Sequence, residues 1–243
     1  MTESIQLALI ADLVASRQSP ERAALQDALG ELLERLNFEQ AQAFAAPMVQ
    51  TAGDELQALL HPLHAEHALT LVREVSDALF GRRFQQRVVF GLGLGTLSTG
   101  PLPTDGAAPN VALLDGPCFH RARAALEEAQ RTSRWAIVKG FARSGFHAHL
   151  DELLSMHFEL VGTLRQGWTP LQAHYAAAVR RELSADGRGA QKRVAEIESV
   201  NPSVISESLK ASHFDVVLRA EQLLATLLSE SAVAALMSPE PLP

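Results

Sequence analysis

The fold is decided by the stretch Val49-Gln50-Thr51-Ala52-Gly53-Asp54-Glu55-Leu56-Gln57-Ala58-Leu59-Leu60. An alternating run ends in a glycine, two carboxylates follow at once, and an apolar run then resumes, which is typical of two strands joined by a tight hairpin. The sequence therefore predicts a hairpin that holds Asp54 and Glu55 at one end of a sheet. An ordinary solvated turn is the alternative, since acidic residues are common in turns.

A third carboxylate, Asp12, lies at the end of the apolar run over residues 5–11. A run that is apolar almost throughout is typical of a strand buried on both faces. If this strand is the neighbour of the hairpin, oxygens of Asp12, Asp54 and Glu55 can converge on one divalent cation. The sequence predicts such a convergence.

Composition limits the function classes. The 243 residues carry a formal net charge of −7, which argues against nucleic-acid coat proteins and basic membrane-surface proteins but leaves room for a small DNA-contacting helix. Cys118 is the single cysteine, so no internal disulfide can form, which fits a reducing cytoplasm. No apolar run reaches the roughly 20 residues of a membrane helix, and no signal peptide is evident. We expect a cytoplasmic protein without a membrane partner.

The chain divides by pattern into two parts. Residues 1–145 predict the order strand, helix, hairpin, helix, strand, helix, strand, which indicates an α/β (α+β) domain of the ferredoxin-like type. Within it, residues 19–37 predict a helix, 39–46 a short helical piece and 63–80 a further helix. Residues 146–243 predict helices only: a connector at 150–164, then helices at 171–183, 190–198 and 202–228, with Thr169 and Pro170 starting the first of these three.

Three glycines, Gly91, Gly93 and Gly95, occupy alternate positions of a predicted strand over residues 87–96. A strand face without side chains allows the close approach of a helix, another backbone or a flat ligand. Close helix packing and nucleotide approach both remain open. The helix that follows starts near His120 and Arg123, where an anion can bind free backbone amides.

Four ordered blocks resemble the bacterial SatD family: residues 8–17 (ALIADLVASR), 51–57 (TAGDELQ), 90–93 (FGLG) and 115–126 (DGPCFHRARAAL). The resemblance spans most of the chain. It implies a fold more than an activity, because the family name brings an association with acid tolerance and little biochemistry.

The first 145 residues also resemble, more distantly, the nucleotidyl cyclase fold of class III adenylate cyclases and GGDEF diguanylate cyclases. That resemblance implies a divalent-cation site formed by Asp12, the Leu13 carbonyl, Asp54 and Glu55, with a nucleotide near Gly91, Gly93, His120 and Arg123. Magnesium suits such hard oxygen ligands and the charge of a triphosphate.

The departures from the cyclase pattern limit what it implies. Ala52 replaces the first glycine of the GGDEF signature, His120 stands where class III cyclases carry an asparagine, and Arg123 is one residue early. These differences favour binding of a nucleoside triphosphate or cyclic nucleotide over cyclisation.

Residues 191–209 resemble a bacterial helix-turn-helix, with the form Q-x-x-V-A-x-x-x-x-V-x-x-S-x-I-S-x-x-L. The resemblance implies a core of Val194, Ala195, Ile197, Val204, Ile205 and Leu209, and a DNA-facing set of Gln191, Ser203, Ser206, Glu207 and Lys210. Residues 180–219 contain seven basic and six acidic residues, a near-balance that predicts weak non-specific DNA affinity for a monomer.

A spacing of three separates His61, His64 and His67, which could place them on one helix face as metal ligands. Pro62 interrupts the turn and no acidic partner is evident, so surface histidines are the favoured interpretation.

The leading hypothesis is a homodimeric regulatory protein that binds a nucleotide with magnesium through residues 1–145 and DNA through residues 146–243. Two alternatives stay open. One is an active nucleotidyl cyclase or nucleotidyltransferase whose helical part serves only for dimerisation. The other is a degenerate, non-catalytic interaction scaffold.

Overall fold

Within the described residues, five strands form one sheet in the order β2-β3-β1-β4-β5. The computed structural model describes residues 5–14, 21–51, 53–79, 84, 86–98, 109–142 and 148–237. The strands are β1 (Ile5–Leu13), β2 (Phe44–Gln50), β3 (Glu55–Leu60), β4 (Val88–Thr96) and β5 (Ala136–Lys139). Strand β1 is antiparallel to both β3 and β4, whereas β5 runs parallel to β4. The first four strands therefore have the ferredoxin-like order, which confirms the predicted fold class.

The same part of the chain contains eight α-helices: α1 (Arg22–Glu39), α2 (His67–Leu79), α3 (Pro117–Thr132), α4 (Leu150–Gln166), α5 (Pro170–Asp186), α6 (Ala190–Ile197), α7 (Pro202–Ala211) and α8 (Phe214–Met237). Short 3₁₀ turns cover Ala41–Ala43, Pro62–His64 and Val111–Leu113. The helices described after residue 148 follow the predicted all-helical pattern. None of the described helices is long and apolar enough to cross a bilayer.

Strand β1 is buried on both faces, as its continuous apolar sequence predicts. Leu7 and Leu9 point to the larger core, with α1 and α2, while Ala8 and Ile10 point to the smaller core beneath α3. Successive side chains of a strand alternate between faces, so Asp12 lies on the same face as Ile10, the face that α3 covers.

The glycine strand β4 packs directly against α3. A Cβ atom built on Gly91 would lie 2.1 Å from the Ala122 carbonyl oxygen, and one on Gly93 would lie 2.2 Å from the Cys118 carbonyl oxygen. The backbone of α3 thus fills the space that the absent side chains leave. Of the two open interpretations of these glycines, close helix packing is confirmed.

Two predictions for the region between α1 and β2 are wrong, one for the type of an element and one for the end of a helix, because contacts within the folded chain override the local sequence pattern. The short helix predicted over 39–46 is a 3₁₀ turn followed by strand β2. Asn37 was expected to end the first helix, yet its side chain donates to the Met48 carbonyl and accepts from the Met48 N–H, both at 2.8 Å. Asn37 thereby holds β2, whose edge position tolerates Pro47.

The predicted helix over 202–228 is also divided. Its break falls at Ser212, whose carbonyl accepts the Trp168 indole N–H at 2.7 Å, and His213 follows with a φ of 51°. The predicted start at Thr169 and Pro170 is confirmed, since the Thr169 side chain caps α5 in a capping box. The predicted start of the helix over 19–37 and the predicted end of the helix over 63–80 lie outside the described residues.

The larger core continues from the sheet into the helical part. Leu154 and Phe158 of α4 belong to the same buried cluster as the sheet residues, and so do Val194 and Leu228. A domain boundary at 145, which falls among residues 143–147 outside the described ranges, stays a prediction. The described helices on its C-terminal side share a core with the sheet.

A buried ionic network joins the helices to one another. Arg165 of α4 and Arg180 of α5 each contact both Asp77 of α2 and Glu221 of α8. The Arg165 guanidinium also lies over the Trp135 ring, 5.0 Å from its centroid. Each buried charge in this network thus has at least two partners of opposite sign, which is the condition for burying charges at all.

Candidate functional site

The predicted acidic cluster lies where β1 and β3 end side by side. Asp12 is directly opposite Glu55 in the β1–β3 ladder, and the Leu13 N–H donates to the Asp54 carbonyl at 3.3 Å. Directly opposite residues in an antiparallel pair share a face, so Asp12 and Glu55 both lie towards α3. The antiparallel pairing of β1 with the hairpin strand thus brings Asp12 to the adjacent hairpin acids Asp54 and Glu55, from which it is far apart in sequence.

Each carboxylate has a different partner. Arg123 of α3 binds Glu55 through two hydrogen bonds, one of them at 2.7 Å. The Asp12 carboxylate accepts a hydrogen bond from Gln130 of α3 at 2.8 Å. Asp54, which is buried, lies 3.7 Å from the Arg22 guanidinium at the start of α1. Helix α3 therefore contacts two of the three acids, and α1 contacts the third.

These environments shift the carboxyl pKa values in opposite directions. Burial raises the pKa of Asp12, and the nearby charges of Glu55 and Asp54 raise it further, although the hydrogen bond from Gln130 and the charge of Arg123 lower it. Burial also acts to raise the pKa of Glu55, but the hydrogen bonds and charge of Arg123 outweigh it, so the pKa of Glu55 is lowered. Of these two carboxylates, Asp12 is the one whose negative charge its surroundings disfavour.

The charge balance of the cluster favours a cation. Asp12, Asp54 and Glu55 supply three negative charges, against two positive charges on their ion-pair partners Arg22 and Arg123. Within the described chain, the three carboxylates do not form a set whose oxygens all lie within 4.8 Å of one another. The residues that could hold a cation are Asp12, the Leu13 carbonyl and Asp54, because Arg123 engages both oxygens of Glu55.

The predicted nucleotide contacts lie in different surroundings. His120 is mostly exposed, with its ring nitrogen 3.0 Å from the Asp115 carboxylate. Arg123 faces Glu55. Gly91 and Gly93 are buried beneath α3, so on this face of β4 the helix leaves no room for a nucleotide. The structure therefore does not bring the four predicted nucleotide residues into one pocket.

Helices α6 and α7 are joined by a four-residue turn, as the resemblance to a helix-turn-helix implies. Four predicted core residues are buried: Val194, Ala195, Ile205 and Leu209. The prediction is wrong for Ile197 and Val204, which are 70% and 42% exposed. Val204 precedes the buried Ile205 near the start of α7, whereas Ile197 is the last residue of α6 and its neighbours Glu196 and Glu198 are not buried either.

The predicted DNA-facing residues are all accessible. Gln191, Ser203, Ser206, Glu207 and Lys210 are exposed. The Asn201 side chain accepts the Ser203 N–H at 3.0 Å and so caps the start of α7. The cap thus fixes where α7 begins, next to the exposed Ser203.

A second cluster has a partner that the sequence interpretation missed. His64, Glu66 and His67 have ligand atoms that all lie within 4.8 Å of one another. The missing acidic partner was Glu66, which lies between the two histidines in sequence. Burial lowers the pKa of His67 and of His61, which favours neutral imidazoles. A scan for acids within one or two residues of each histidine would have found Glu66.

Comparison with known proteins gives one family and a fold likeness. The SatD family matches residues 6–228, and no curated protein matches the chain. Two solved structures of a bacterial light-regulated adenylyl cyclase are similar to it. One has 12% identity and a TM-score of 0.44, covering 57% of this chain and 77% of the other. The second has 11% identity and a TM-score of 0.43, covering 56% of this chain and 43% of the other.

Proposed function

The chain belongs to the SatD family, and we propose that it is a regulatory protein whose sheet binds a nucleotide with Mg²⁺ and whose helices α6 and α7 bind DNA. The observation that carries the first half is the geometry at the ends of β1 and β3, where Asp12 lies directly opposite Glu55 and next to the Leu13–Asp54 backbone contact. A carboxylate that is partly buried beside two others favours a bound cation, because the cation removes both the repulsion and the cost of burial.

The ligands of the proposed cation are Asp12, the Leu13 carbonyl and Asp54. All three are oxygen donors, the type that Mg²⁺ prefers, and Mg²⁺ usually completes its shell with water and substrate phosphates. Bound Mg²⁺ would neutralise part of the negative charge of the nucleotide phosphates. Glu55 has a different role in this proposal: it holds Arg123 beside the cluster through two hydrogen bonds.

Binding is favoured over turnover. A cyclising enzyme needs side chains that stabilise the transition state and orient the base, and the residues at the corresponding positions are engaged elsewhere. His120 lies beside Asp115, and Arg123 is held by Glu55. We therefore expect a nucleotide to bind without release of pyrophosphate.

A titration with fluorescent ATP and GTP analogues, with and without Mg²⁺, tests this half. We expect Mg²⁺-dependent binding that Asp12→Asn abolishes and that Asp27→Asn, an equal charge change on the exposed side of α1, leaves intact. Cyclic nucleotides are titrated as competitors, and pyrophosphate release is measured in parallel. Absence of binding by every nucleotide to folded protein would refute the proposal. Pyrophosphate release that Asp12→Asn abolishes would identify an enzyme instead.

The proposal of DNA binding rests on the geometry of α6 and α7. A short turn joins the two helices, and each has a buried side and an exposed, mostly polar side. The near-balance of charge over residues 180–219 implies that one copy binds weakly. A homodimer that contacts two half-sites would supply the missing affinity.

Fluorescence anisotropy with duplex DNA over a series of salt concentrations tests the second half. We expect Lys210→Ala to weaken binding and to reduce the salt dependence by about one phosphate contact. Lys139→Ala, which removes the same charge from strand β5, is the control. Sedimentation at the same concentrations reports the oligomeric state. If Lys139→Ala weakens binding as much as Lys210→Ala, α7 is not the DNA-contacting element.

A further inference from the structure

We infer that His64, Glu66 and His67 form a binding site for a transition-metal cation of the Zn²⁺ class, separate from the acidic cluster. The three residues lie at the junction of the Pro62–His64 turn and the first residue of α2. Two imidazoles and one carboxylate are a usual ligand set for Zn²⁺, whereas Mg²⁺ prefers oxygen donors alone. The two proposed sites therefore differ in metal preference as well as in position.

The distances are close to those of a metal site. Glu66 Oε1 lies 3.6 Å from His67 Nε2 and 3.9 Å from His64 Nδ1. Two ligand atoms on a tetrahedral zinc, at metal distances of about 2.1 Å, are about 3.4 Å apart. The two distances to Glu66 therefore need to shorten by about half an ångström or less, and the ligand atoms of His64 and His67 already lie within 4.8 Å of each other. Side-chain rotation within one rotamer can supply these movements.

A hydrogen bond outside the cluster prepares His67 as a ligand. Its Nδ1 contacts Oε1 of Gln40, at the end of α1. A carbonyl oxygen only accepts, so Nδ1 carries the proton and, in the neutral ring, Nε2 keeps its lone pair. That lone pair faces Glu66. Metal-binding histidines are commonly oriented by such a bond from the other ring nitrogen.

Glu66 has an unmet requirement for a positive partner. Its Oε1 lies nearest the two imidazoles, and its Oε2 is buried without a hydrogen-bond donor among the described residues. The Glu66 carboxylate and the His67 Nε2 lone pair are both acceptors, so they repel one another unless a proton or a cation lies between them. A metal ion removes this repulsion, and His64 lies close enough to supply a third ligand. A fourth coordination position would be filled by water, since the described chain offers three ligands here.

The cluster is accessible from solvent. His64 lines an open recess of about 530 Å³, together with His61 and with Leu236 from the end of α8. His64 is 38% exposed in its side chain, so an ion can reach it without opening of the fold. Because α8 packs beside the Pro62–His64 turn, a bound ion would also brace the region where the last helix meets the sheet.

Zn²⁺ titration of the untagged full chain, in competition with a chromophoric zinc indicator and in excess Mg²⁺, tests the site. We expect one equivalent of Zn²⁺, a visible spectrum of tetrahedral Co²⁺ on cobalt substitution, and loss of both in His64→Ala with His67→Ala. The matched control is His174→Ala, since His174 also lies beside a glutamate, with Nε2 2.7 Å from Glu198 Oε1. Excess Mg²⁺ saturates oxygen sites, so failure here is distinguishable from failure at Asp12.

A variant of the supporting residue separates a designed site from a chance group of histidines. Gln40→Ala leaves all three ligands in place and should weaken Zn²⁺ affinity about 10–100-fold, the usual effect of removing such a hydrogen bond. Circular dichroism checks that each variant is folded. The inference fails if Zn²⁺ uptake is not saturable, or if the double histidine variant binds as the wild type does. Equal loss in His174→Ala would also overturn it.

Discussion

The substitution Gly93→Ala tests how closely α3 packs on β4. A Cβ atom at Gly93 would lie 2.2 Å from the Cys118 carbonyl oxygen and 2.3 Å from the Ala122 amide nitrogen. Ordinary contacts begin near 3.4 Å, so helix and strand must separate by about 1.2 Å. Both partners are backbone atoms, and no side-chain rotation can relieve the overlap.

The cost follows from that separation. Overpacking a core typically costs 1–3 kcal/mol, and a gap of about 1 Å also removes a quarter to a half of each dispersion contact along the helix. Ala122, Ala125 and Leu126 of α3 are all buried in this layer. We therefore expect a loss of about 3 kcal/mol or more, which lowers the melting temperature by roughly 6–12 °C in a chain of this size.

Urea denaturation followed by circular dichroism measures the loss. Gly30→Ala is the matched control, because Gly30 lies in α1 and a Cβ there meets nothing within 4 Å. It should raise stability by about 0.5–1 kcal/mol, as alanine has the higher helix propensity. If Gly93→Ala changes the free energy of unfolding by less than about 0.5 kcal/mol, the close packing of α3 on β4 is refuted.

Three further results are expected. Arg165→Met should lower the free energy of unfolding, measured by urea denaturation, by about 3–5 kcal/mol, because the buried carboxylates of Asp77 and Glu221 lose a positive partner. The control Arg219→Met breaks an exposed ion pair and should lower it by less than about 0.5 kcal/mol. Equal losses in the two variants would contradict the network. Asp12→Asn should stabilise the metal-free protein at pH 7, because the raised pKa of Asp12 makes its charge unfavourable above that pKa, and the gain should shrink as pH falls towards 3.8. Glu55→Gln should destabilise the protein at pH 7, because the lowered pKa of Glu55 gives stability that is lost as pH falls below 4.5. Changes of the same sign in both variants would disprove the assignment. Burial raises the pKa of Cys118 to about 12, so a thiol reagent at pH 8 should label it in urea and not in the folded protein; rapid labelling of the folded chain would show that the thiol is accessible.

The sequence predicted the sheet well because the patterns that mark its strands and its hairpin each lie within a short stretch of chain. The apolar run of β1 and the hairpin around Gly53 both depend on residues within a few positions of one another, and Gly53 has the positive φ of 74° that such a turn requires. The meeting of Asp12 with the hairpin followed from one further assumption, that β1 is the neighbour of β3. The β1–β3 pairing confirms it.

Contacts between distant residues were beyond local pattern. The pairing of Arg123 with Glu55 joins positions 68 residues apart, and it assigns to Glu55 a partner that spacing could not reveal. Asparagine is a common residue at helix ends, but the Asn37 side chain instead holds strand β2 through its two hydrogen bonds to the Met48 backbone. In both cases the deciding energy is a side-chain hydrogen bond made only after the chain has folded.

Helix α3 connects the acidic cluster to the rest of the molecule. Gln130 binds Asp12 and Arg123 binds Glu55, so a cation at Asp12 would compete with Gln130 for the same carboxylate. Release of Gln130 would alter the end of α3 that leads directly into β5, and α4 packs on β5. Because α3 is held against the glycine strand at backbone distance, such a change is confined to its C-terminal turns. If nucleotide binding influences DNA binding, the path should therefore run through β5 and α4, and Gln130→Leu should reproduce part of the effect of the nucleotide without any ligand.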